Sequence, residues 1–444
     1  MKLYPLLAAS ALAIGAASAA TLPLTITVGS SGSVEVPGLS AALSAAPPYT
    51  CLANHYVDGV NGNDANAGTQ AAPWKTIQNA DNWGSNVPKA GDCINVLPGT
   101  YPISSMLTLH TGGNLNSPTG FVVYRSTVPQ GAHLIAATGL NGIGDVIQLW
   151  TGYLVLDGFE IDGNKAQTGG SGIDGCVGGG GNSNIAHHFT AINNYIHDTG
   201  GSGLSSCTTD FITWKHNLIT NCASTSVYQE SGFDLFGPRT MAAGTYTPTA
   251  ADMGKYGIQI TYNVVHNCQE TFSGAHTDGN GIILDSFYAN QSTPTGGYLG
   301  NTLVDHNIAY SNGGGGIQAF LAKNITISNN TAYNNHLDTS NSGTARGEIN
   351  LLGAATTNVL NNIAVAIVGS GILADNSAYQ ISGGTFPSSG TVAGNFGLGG
   401  KVAISGVTMI DPQLTSPSTG NFALKAGSPA DGAGACDPSL TSCP

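Results

Sequence analysis

The chain has 444 residues, of which 63 are glycine and only 8% are charged, with 12 lysines and arginines against 25 aspartates and glutamates. A net charge of −13 with so few cations provides no basic patch, so we exclude nucleic acid and anionic membranes as partners. After the N-terminus, no stretch reaches the roughly 18 apolar residues that a membrane-spanning helix requires.

The first 20 residues have the pattern of a secretory signal peptide. Lys2 supplies the positive start, an apolar stretch follows, and Ala17-Ser18-Ala19 forms a small-residue cleavage site. Residues 21–49 are rich in Ser, Ala and Pro and are interpreted as a leader. Eight cysteines, an even number, fit an oxidising compartment. We therefore expect a secreted protein, extracellular or periplasmic, that acts as a monomer.

Two motifs delimit the region after the leader. It opens with "HYVDGVNGNDANAGTQAAPWKTIQNADNW" and "GDCINVLPGTY", and it ends with "IDPQLTSPSTGNFALKAGSPADGAG". Both motifs resemble those of secreted bacterial right-handed parallel β-helix proteins of the pectate-lyase-like superfamily, over roughly residues 50–435, with a tail at 436–444. The resemblance implies an N-terminal helix that begins at Pro73-Trp74 and plugs the solenoid through Trp74, Ile77 and Ala80. It implies no single chemistry, because the superfamily includes lyases, hydrolases, epimerases and surface proteins.

Between residues 150 and 380 one phrase recurs, in which Asn lies between short apolar strands. The spacings between the marker asparagines are 23, 46, 44, 23 and 32 residues, a period typical of stacked coils. Short strands rich in Ile, Val, Thr and Tyr exclude helical repeats and predict a right-handed parallel β-helix with a ladder of stacked amides. The markers are Asn194, Asn217, Asn263, Asn307, Asn330 and Asn362.

Two cysteines follow their marker asparagines at the same distance. Cys222 and Cys268 each lie five residues after the marker, so they are expected to stack on neighbouring coils within disulfide range. We also expect the pairs Cys51–Cys93, Cys176–Cys207 and Cys436–Cys443.

A second strand in each repeat begins with Gly, as in "GFDLF", "GIILD", "GIQAF", "GEINLL" and "GILAD". Because alternate strand residues face opposite sides, one side chain in two is expected to point outward. The outward set along one face is predicted to be Asp234, Asp285, Gln318, Phe320 and Glu348, with Glu230, His276 and Asp278 at the corner where these strands begin. Two long excursions, residues 237–256 and 286–301, would form walls, and Phe287 and their tyrosines could stack on sugars.

This grouping of ionisable residues predicts a polysaccharide groove, with two chemistries open. A hydrolase needs two carboxylates about 5 Å or about 6.5–9.5 Å apart, which Asp234, Asp285 and Glu348 could supply from neighbouring coils. A lyase needs a base and a cation that neutralises a uronate carboxylate. The base candidates are Lys255, Arg239, Arg346 and His276. Superfamily lyases commonly use calcium, and the residues that could bind Ca²⁺ are Glu230, Asp234, Asp278 and Asp285.

A third hypothesis is that the protein is a non-catalytic solenoid that binds glycans or serves as a scaffold. Against it, acids gather beside the longest excursions, which a scaffold does not require. We therefore expect a secreted polysaccharide-degrading enzyme, with β-elimination on a uronate-containing glycan favoured over glycoside hydrolysis because of the superfamily. The substrate-contacting set would be Arg239, Phe287, Gln318 and Phe320.

Overall fold

The computed structural model describes most of the chain after the leader. The described residues are 26–27, 33–34, 48–81, 87–137, 144–165, 169–176, 186–238, 256–271, 276–287, 298–341, 346–367, 376–382, 390–400 and 404–435. Several predictions lie outside these ranges: the signal peptide, nearly all of the leader, the strand at Gly371, most of both excursions, Arg239, Lys255 and the Cys436–Cys443 pair.

The described chain consists almost entirely of short strands, numbered here in chain order. The first twelve are β1 Ile26–Thr27, β2 Ser33–Val34, β3 Ala53–Val57, β4 Asp92–Val96, β5 Gly99–Ile103, β6 Leu107–Leu109, β7 Val122–Ser126, β8 Ala132–Ala136, β9 Ile147–Leu149, β10 Gly152–Asp157, β11 Glu160–Asp162 and β12 Ile173–Asp174. The next twelve are β13 His187–Ile192, β14 Tyr195–His197, β15 Leu204–Cys207, β16 Ile212–Lys215, β17 Leu218–Thr220, β18 Phe233–Phe236, β19 Ile258–Thr261, β20 Val264–His266, β21 Ile282–Asp285, β22 Thr302–Asp305, β23 Ile308–Tyr310 and β24 Ile317–Phe320. The last eleven are β25 Lys323–Ser328, β26 Thr331–Tyr333, β27 Gly347–Leu352, β28 Ala355–Leu360, β29 Ile363–Val365, β30 Ser377–Ser382, β31 Val392–Ala393, β32 Asn395–Leu398, β33 Val407–Met409, β34 Leu414–Ser416 and β35 Asn421–Leu424.

Three long parallel sheets run the length of the solenoid. Sheet I has the order β3-β4-β7-β10-β13-β16-β19-β22-β25-β28-β31, and sheet II the order β5-β8-β11-β14-β17-β20-β23-β26-β29-β32-β33. Sheet III has the order β6-β9-β12-β15-β18-β21-β24-β27-β30. From β4 to β30 each coil contributes one strand to each sheet in turn, and neighbouring coils lie about 4.8 Å apart. The predicted parallel β-helix is confirmed.

The interior is filled by alternate residues of all three sheets. Phe233, Leu235, Ile282 and Leu284 are buried in one continuous core, as the alternation in the Gly-initiated strands predicts. Large apolar side chains such as Trp214 fill the coils, and burying each Val, Leu, Ile or Phe contributes about 1.5–3 kcal/mol.

The marker asparagines form a ladder at the corner between sheets I and II. Each Oδ1 accepts the backbone N–H and the side-chain N–H of the marker on the preceding coil, for example Asn217 to Asn263 at 2.9 and 3.1 Å. The ladder continues through all six predicted markers to Asn395. The left-handed position is the residue before each marker, such as His216 or Tyr262, and not the marker itself. Since Asn217 and Asn263 are bonded, their 46-residue interval is one coil with an insertion.

A second ladder at the corner between sheets II and III overturns the predicted position of Glu348. Asn312 and Asn335 stack as the markers do, and the Glu348 carboxylate takes the next place, accepting from Asn335 Nδ2 at 2.6 Å. Glu348 is fully buried in that corner and does not face the groove. The Gly-initiated pattern misplaces it because the strand core begins at Ile349, which pairs with Ile317.

The N-terminal cap is a single helical turn, α1, Ile77–Ala80. It begins later than predicted because Thr76 caps it and Trp74 instead pairs with Val57. Trp74, Ile77 and Ala80 are nevertheless buried against the first coils.

Three of the expected disulfides are present: Cys51–Cys93, Cys176–Cys207 and Cys222–Cys268. Each links two coils. None of the helices in the described ranges is long and apolar enough to cross a membrane.

The C-terminal hairpin, β34 and β35, covers part of sheet II. Phe422 is buried and lies against Tyr310 and Tyr333, with ring centroids 5.0 and 5.8 Å apart. Among the described residues, the apolar cluster that contains Phe422 extends along sheet II as far as Val264 on β20 and does not include the coils before β20.

Candidate functional site

The outer side of sheet III carries a set of carboxylates from neighbouring coils. Asp234 on β18 aligns through Ser205 on β15 with Asp174 on β12, two coils or about 9–10 Å away. We call the acidic face the group formed by these strand residues and the carboxylates beside them, namely Asp174, Glu230, Asp234, Asp278 and Asp285.

Asp234 is the electrostatic centre of the acidic face. Burial raises the pKa of its carboxyl well above the usual value, and the charges of Glu230, Asp278, Asp285 and Asp174 raise it further. No ion pair joins any member of the acidic face to a histidine, lysine or arginine in the described part of the chain. The carboxylates therefore repel one another without a compensating cation among these residues.

Two carboxyls at the corner where the sheet III strands begin, Glu230 and Asp278, have pKa values close to 7. Burial, opposed by a hydrogen bond from Ser202 and reinforced by the charge of Asp174, raises the pKa of Glu230 to about 7. Burial and the charges of Glu270 and Asp285 raise the pKa of Asp278 to about 7. Both groups are in the range in which a carboxyl can give or accept a proton at neutral pH.

Asp285 lies between two aromatic rings. In the register of sheet III it pairs with Phe236 on one side and with Phe320 on the other, and both rings are half-buried. Burial raises the pKa of Asp285, against a hydrogen bond from Ser286. Phe320 therefore lies next to Asp285 on the outer side of sheet III, as the alternation predicts.

His276 and Arg346 both lie beside Asp278. His276 Nδ1 is 2.6 Å from Asp338 Oδ2, and the imidazole is 27% exposed. Asn341 links Asp278 to Arg346. Its Nδ2 donates to the Asp278 backbone carbonyl at 3.0 Å, and its own backbone carbonyl accepts from Arg346 Nη2. The structure thus brings these sequence-predicted residues to the same corner.

Two other predicted substrate contacts are misplaced. Phe287 is fully buried in the core, where it packs against Tyr298 with ring centroids 5.7 Å apart, so it cannot stack on a sugar. Gln318 is on the outer side of sheet III, in register with Ile283, but it is only 4% exposed. Outward orientation on a strand does not guarantee exposure when other chain segments cover the face.

Several residues near the site were not predicted. Asp174 carries a signal that could have identified it, because Gly172-Ile173-Asp174 repeats the phase of Gly232-Phe233-Asp234. Asp338 has no such signal in the sequence, because it lies 62 residues from His276 in the chain. Asp145 and Glu270 also lie near the acidic face, since Asp145 interacts with Asp174 and Glu230, and Glu270 interacts with Asp278.

The acidic face offers only oxygen ligands, which suit calcium. Among the described residues, however, the groups of three ligand atoms that approach within 4.8 Å of one another lie on sheet II, not on this face. The predicted calcium set is therefore brought together as a repelling cluster that is wider than a formed coordination shell.

The raised carboxyl pKa values predict that the free energy of unfolding falls as the pH rises from about 6.5 to about 8. Asp145 is the clearest case, because burial and the charges of Asp174 and Glu230 raise its pKa to about 8. In this window the folded state still holds a proton that the unfolded state has lost, so raising the pH favours unfolding. His216 and His266, whose pKa values burial lowers to about 4, oppose this trend only at its lower end, because the unfolded imidazoles lose nearly all of their protons by about pH 7.5.

Urea midpoints measured across this range in the presence of a chelator test the prediction. A midpoint that stays constant or rises towards pH 8 would contradict it.

Comparison with known proteins shows only weak likenesses. No family model matches the chain, and no curated protein matches it. A rhamnogalacturonan lyase structure is 16% identical with a TM-score of 0.46, covering 82% of this chain and 90% of its own. The pectate lyase Pel9A is 17% identical with a TM-score of 0.46, covering 87% and 92%, respectively.

A lacto-N-biosidase of Eubacterium ramulus is 15% identical with a TM-score of 0.44, covering 78% of this chain and 63% of its own. At these identities and TM-scores the likenesses support no inference about chemistry or substrate. The strand pairing within this chain shows that it is a parallel β-helix protein. This is the architecture that the repeated asparagines and the terminal motifs predict.

Proposed function

We propose that this protein is a secreted enzyme that cleaves a polysaccharide at the acidic face. The observation that carries the proposal is the set of five carboxylates from neighbouring coils with no paired cation among the described residues. Burial raises the pKa of all five, and the charges of other members raise the pKa of Glu230, Asp234 and Asp278 further. Such a cluster destabilises the fold, so a purely structural solenoid has no physical reason to retain it. Strongly perturbed carboxyls in one place are typical of catalytic or cation-binding sites.

The favoured chemistry is β-elimination on a uronate-containing chain. The oxygen atoms of Glu230, Asp234 and Asp285 are suitable ligands for calcium. When bound, calcium would neutralise the uronate carboxylate and make the C–H bond next to it more acidic. An ion there would have to draw the carboxylates closer together. Asp278 is left outside this set because its carboxyl is assigned the transfer of a proton to the departing oxygen.

His276 is the base that the geometry favours. When its Nδ1 donates a proton to Asp338, its Nε2 carries the lone pair that removes the proton next to the uronate carboxylate. Breaking the glycosidic C–O bond then leaves a carbon–carbon double bond, and the departing oxygen takes a proton from the Asp278 carboxyl. Arg346, linked to Asp278 through Asn341, could bind an acidic group of the substrate.

Glycoside hydrolysis is the second candidate, and a specific observation supports it. Glu230 and Asp278 have pKa values of about 7, as a general acid requires, and several further carboxylates nearby can act as nucleophile or base. Hydrolysis requires no metal, so the wide carboxylate spacing is compatible with it.

Turnover of uronate and neutral polysaccharides by the mature protein, with calcium or with chelator, distinguishes the two chemistries. Ultraviolet absorbance from an unsaturated product and total reducing ends are recorded together. We expect both signals to rise on a uronate polymer and to disappear with chelator, because an uncompensated acidic face repels an anionic substrate. Reducing ends without absorbance would establish hydrolysis instead. No cleavage of any substrate by folded protein would contradict an enzymatic role and favour a glycan-binding scaffold.

A further inference from the structure

A second ionisable cluster lies on the outer side of sheet II, on a different side of the solenoid from the acidic face. His133 on β8 and Glu160 on β11 pair directly in the parallel register, and His197 on β14 aligns with Asp162 on β11. Three successive coils therefore present two imidazoles and two carboxylates side by side. His133 and Glu160 are 26% and 28% exposed, so the cluster is open to solvent.

The ligand atoms of this cluster are close to the spacing that a small cation requires. Glu160 Oε1 is 3.3 Å from His197 Nε2 and 4.0 Å from His133 Nε2, and the three atoms lie within 4.8 Å of one another. Tetrahedral zinc with bonds of about 2.0–2.2 Å separates its ligands by about 3.3–3.5 Å. Side-chain shifts of about 1 Å would complete the arrangement without moving the strands.

His197 is oriented by carboxylates on the other side of its ring. Its Nδ1 is 2.9 Å from Asp198 Oδ2, while its Nε2 faces Glu160. Asp198 is held in turn by Lys165 Nζ at 3.2 Å and by Asn221 Nδ2 at 3.4 Å. The imidazole also stacks on Tyr195 with ring centroids 4.4 Å apart. A carboxylate on the far nitrogen is the arrangement that fixes metal-binding histidines and strengthens them as ligands.

We propose that His133, Glu160 and His197 bind one divalent transition metal ion, with zinc the best match. Two imidazole nitrogens and one carboxylate oxygen suit zinc, whereas calcium prefers sites built from oxygen alone. Asp198 positions His197 through Nδ1 and is not itself a ligand. The fourth coordination position is left for water or for Asp162, whose Oδ2 is 3.4 Å from His133 Nε2. This site is independent of the acidic face and of its proposed chemistry.

The test uses the mature chain produced without a histidine tag and freed of metal with a chelator. Zinc titration by calorimetry is expected to give one ion per chain with a Kd in the micromolar range or tighter. Cobalt, as a substitute probe, is expected to give the visible absorption of a four-coordinate site. Calcium in large excess is expected to leave the zinc isotherm unchanged.

Matched variants separate this cluster from other zinc-binding surfaces. His133→Gln and Glu160→Gln are each expected to weaken zinc binding at least about tenfold, and Asp198→Asn about tenfold through loss of orientation. His55→Gln serves as the control, since His55, on β3 of sheet I, is paired with Asp92 and stacked on Trp74, whereas the cluster lies on sheet II. It should bind zinc as the unmodified chain does.

Two outcomes would overturn the proposal. One is the lack of saturable zinc binding below about 100 μM, which would leave the cluster as an ion-pair network. The other is unchanged binding by folded His133→Gln and Glu160→Gln proteins, which would place the zinc elsewhere. Far-ultraviolet circular dichroism of each variant shows whether it is folded, and the partly exposed His133 is the variant least able to disturb the core.

Discussion

Replacement of Asp278 by asparagine is expected to lower kcat/KM about 10²–10⁴-fold on whichever polysaccharide the protein cleaves. The change removes the only proton that this side chain can transfer, and general acid or base catalysis contributes that range. The amide oxygen of the new side chain can still accept the 2.9 Å hydrogen bond that Asn280 donates to Asp278, so the corner is expected to keep its shape. The substitution also removes a charge from a repelling cluster, so stability is expected to be unchanged or higher.

The measurement is initial rates with purified, folded variants. Asp431→Asn is the matched control, because it makes the same chemical change at an exposed residue remote from the acidic face, and its rates should equal those of the unmodified chain. Asp285→Asn provides a second test of the same site, and it too is expected to reduce activity. Full activity in both folded site variants would show that the acidic face is not the catalytic centre.

Replacement of Asn263 by alanine is expected to reduce the free energy of unfolding by at least about 3 kcal/mol. Its Oδ1 accepts the N–H of Asn217 at 2.9 Å, and its Nδ2 donates to the Trp214 carbonyl at 2.9 Å and to Asn307 at 2.9 Å. Asn263 is fully buried, so water cannot replace these bonds. Each buried polar group left unsatisfied costs about 1–3 kcal/mol, and at least three groups lose a partner.

The urea midpoint and amide hydrogen exchange would measure this loss. Because each coil contacts mainly its neighbours, exchange should increase most in β16, β19 and β22 around the broken rung. Asn114→Ala is the control, as Asn114 is exposed and outside the ladder. Equal midpoints for the two variants would show that the ladder contributes little to stability.

The asparagine ladder at the corner between sheets I and II is predictable from the sequence for a physical reason. A buried amide must satisfy both its donor and its acceptor, and stacking the same residue on every coil does so at one backbone position. That requirement appears in the sequence as a recurring Asn, so the sequence alone predicts all six markers. The Cys222–Cys268 pair follows from the same register.

The errors at the site come from interactions that alternation does not encode. Glu348 and Asn335 are 13 residues apart, beyond the reach of strand alternation, and only the tertiary structure places the carboxylate at the end of the second ladder. Phe287 immediately follows a groove strand, yet its contact with Tyr298 takes it into the core. In both cases a segment distant from the strand decides where the side chain lies.

Sequence patterns predict the solenoid, its corner ladder, most inward and outward positions of the Gly-initiated strands, and three coil-to-coil disulfides. These features are local and periodic, so one repeat predicts the next. The tertiary structure alone brings the interacting acids together, because the pKa of Asp234 depends on charges contributed by other coils. Only it paired His276 with Asp338 and brought His133, Glu160 and His197 together. Such groupings depend on the register between coils and on what covers each face, and neither leaves a short-range pattern in the chain.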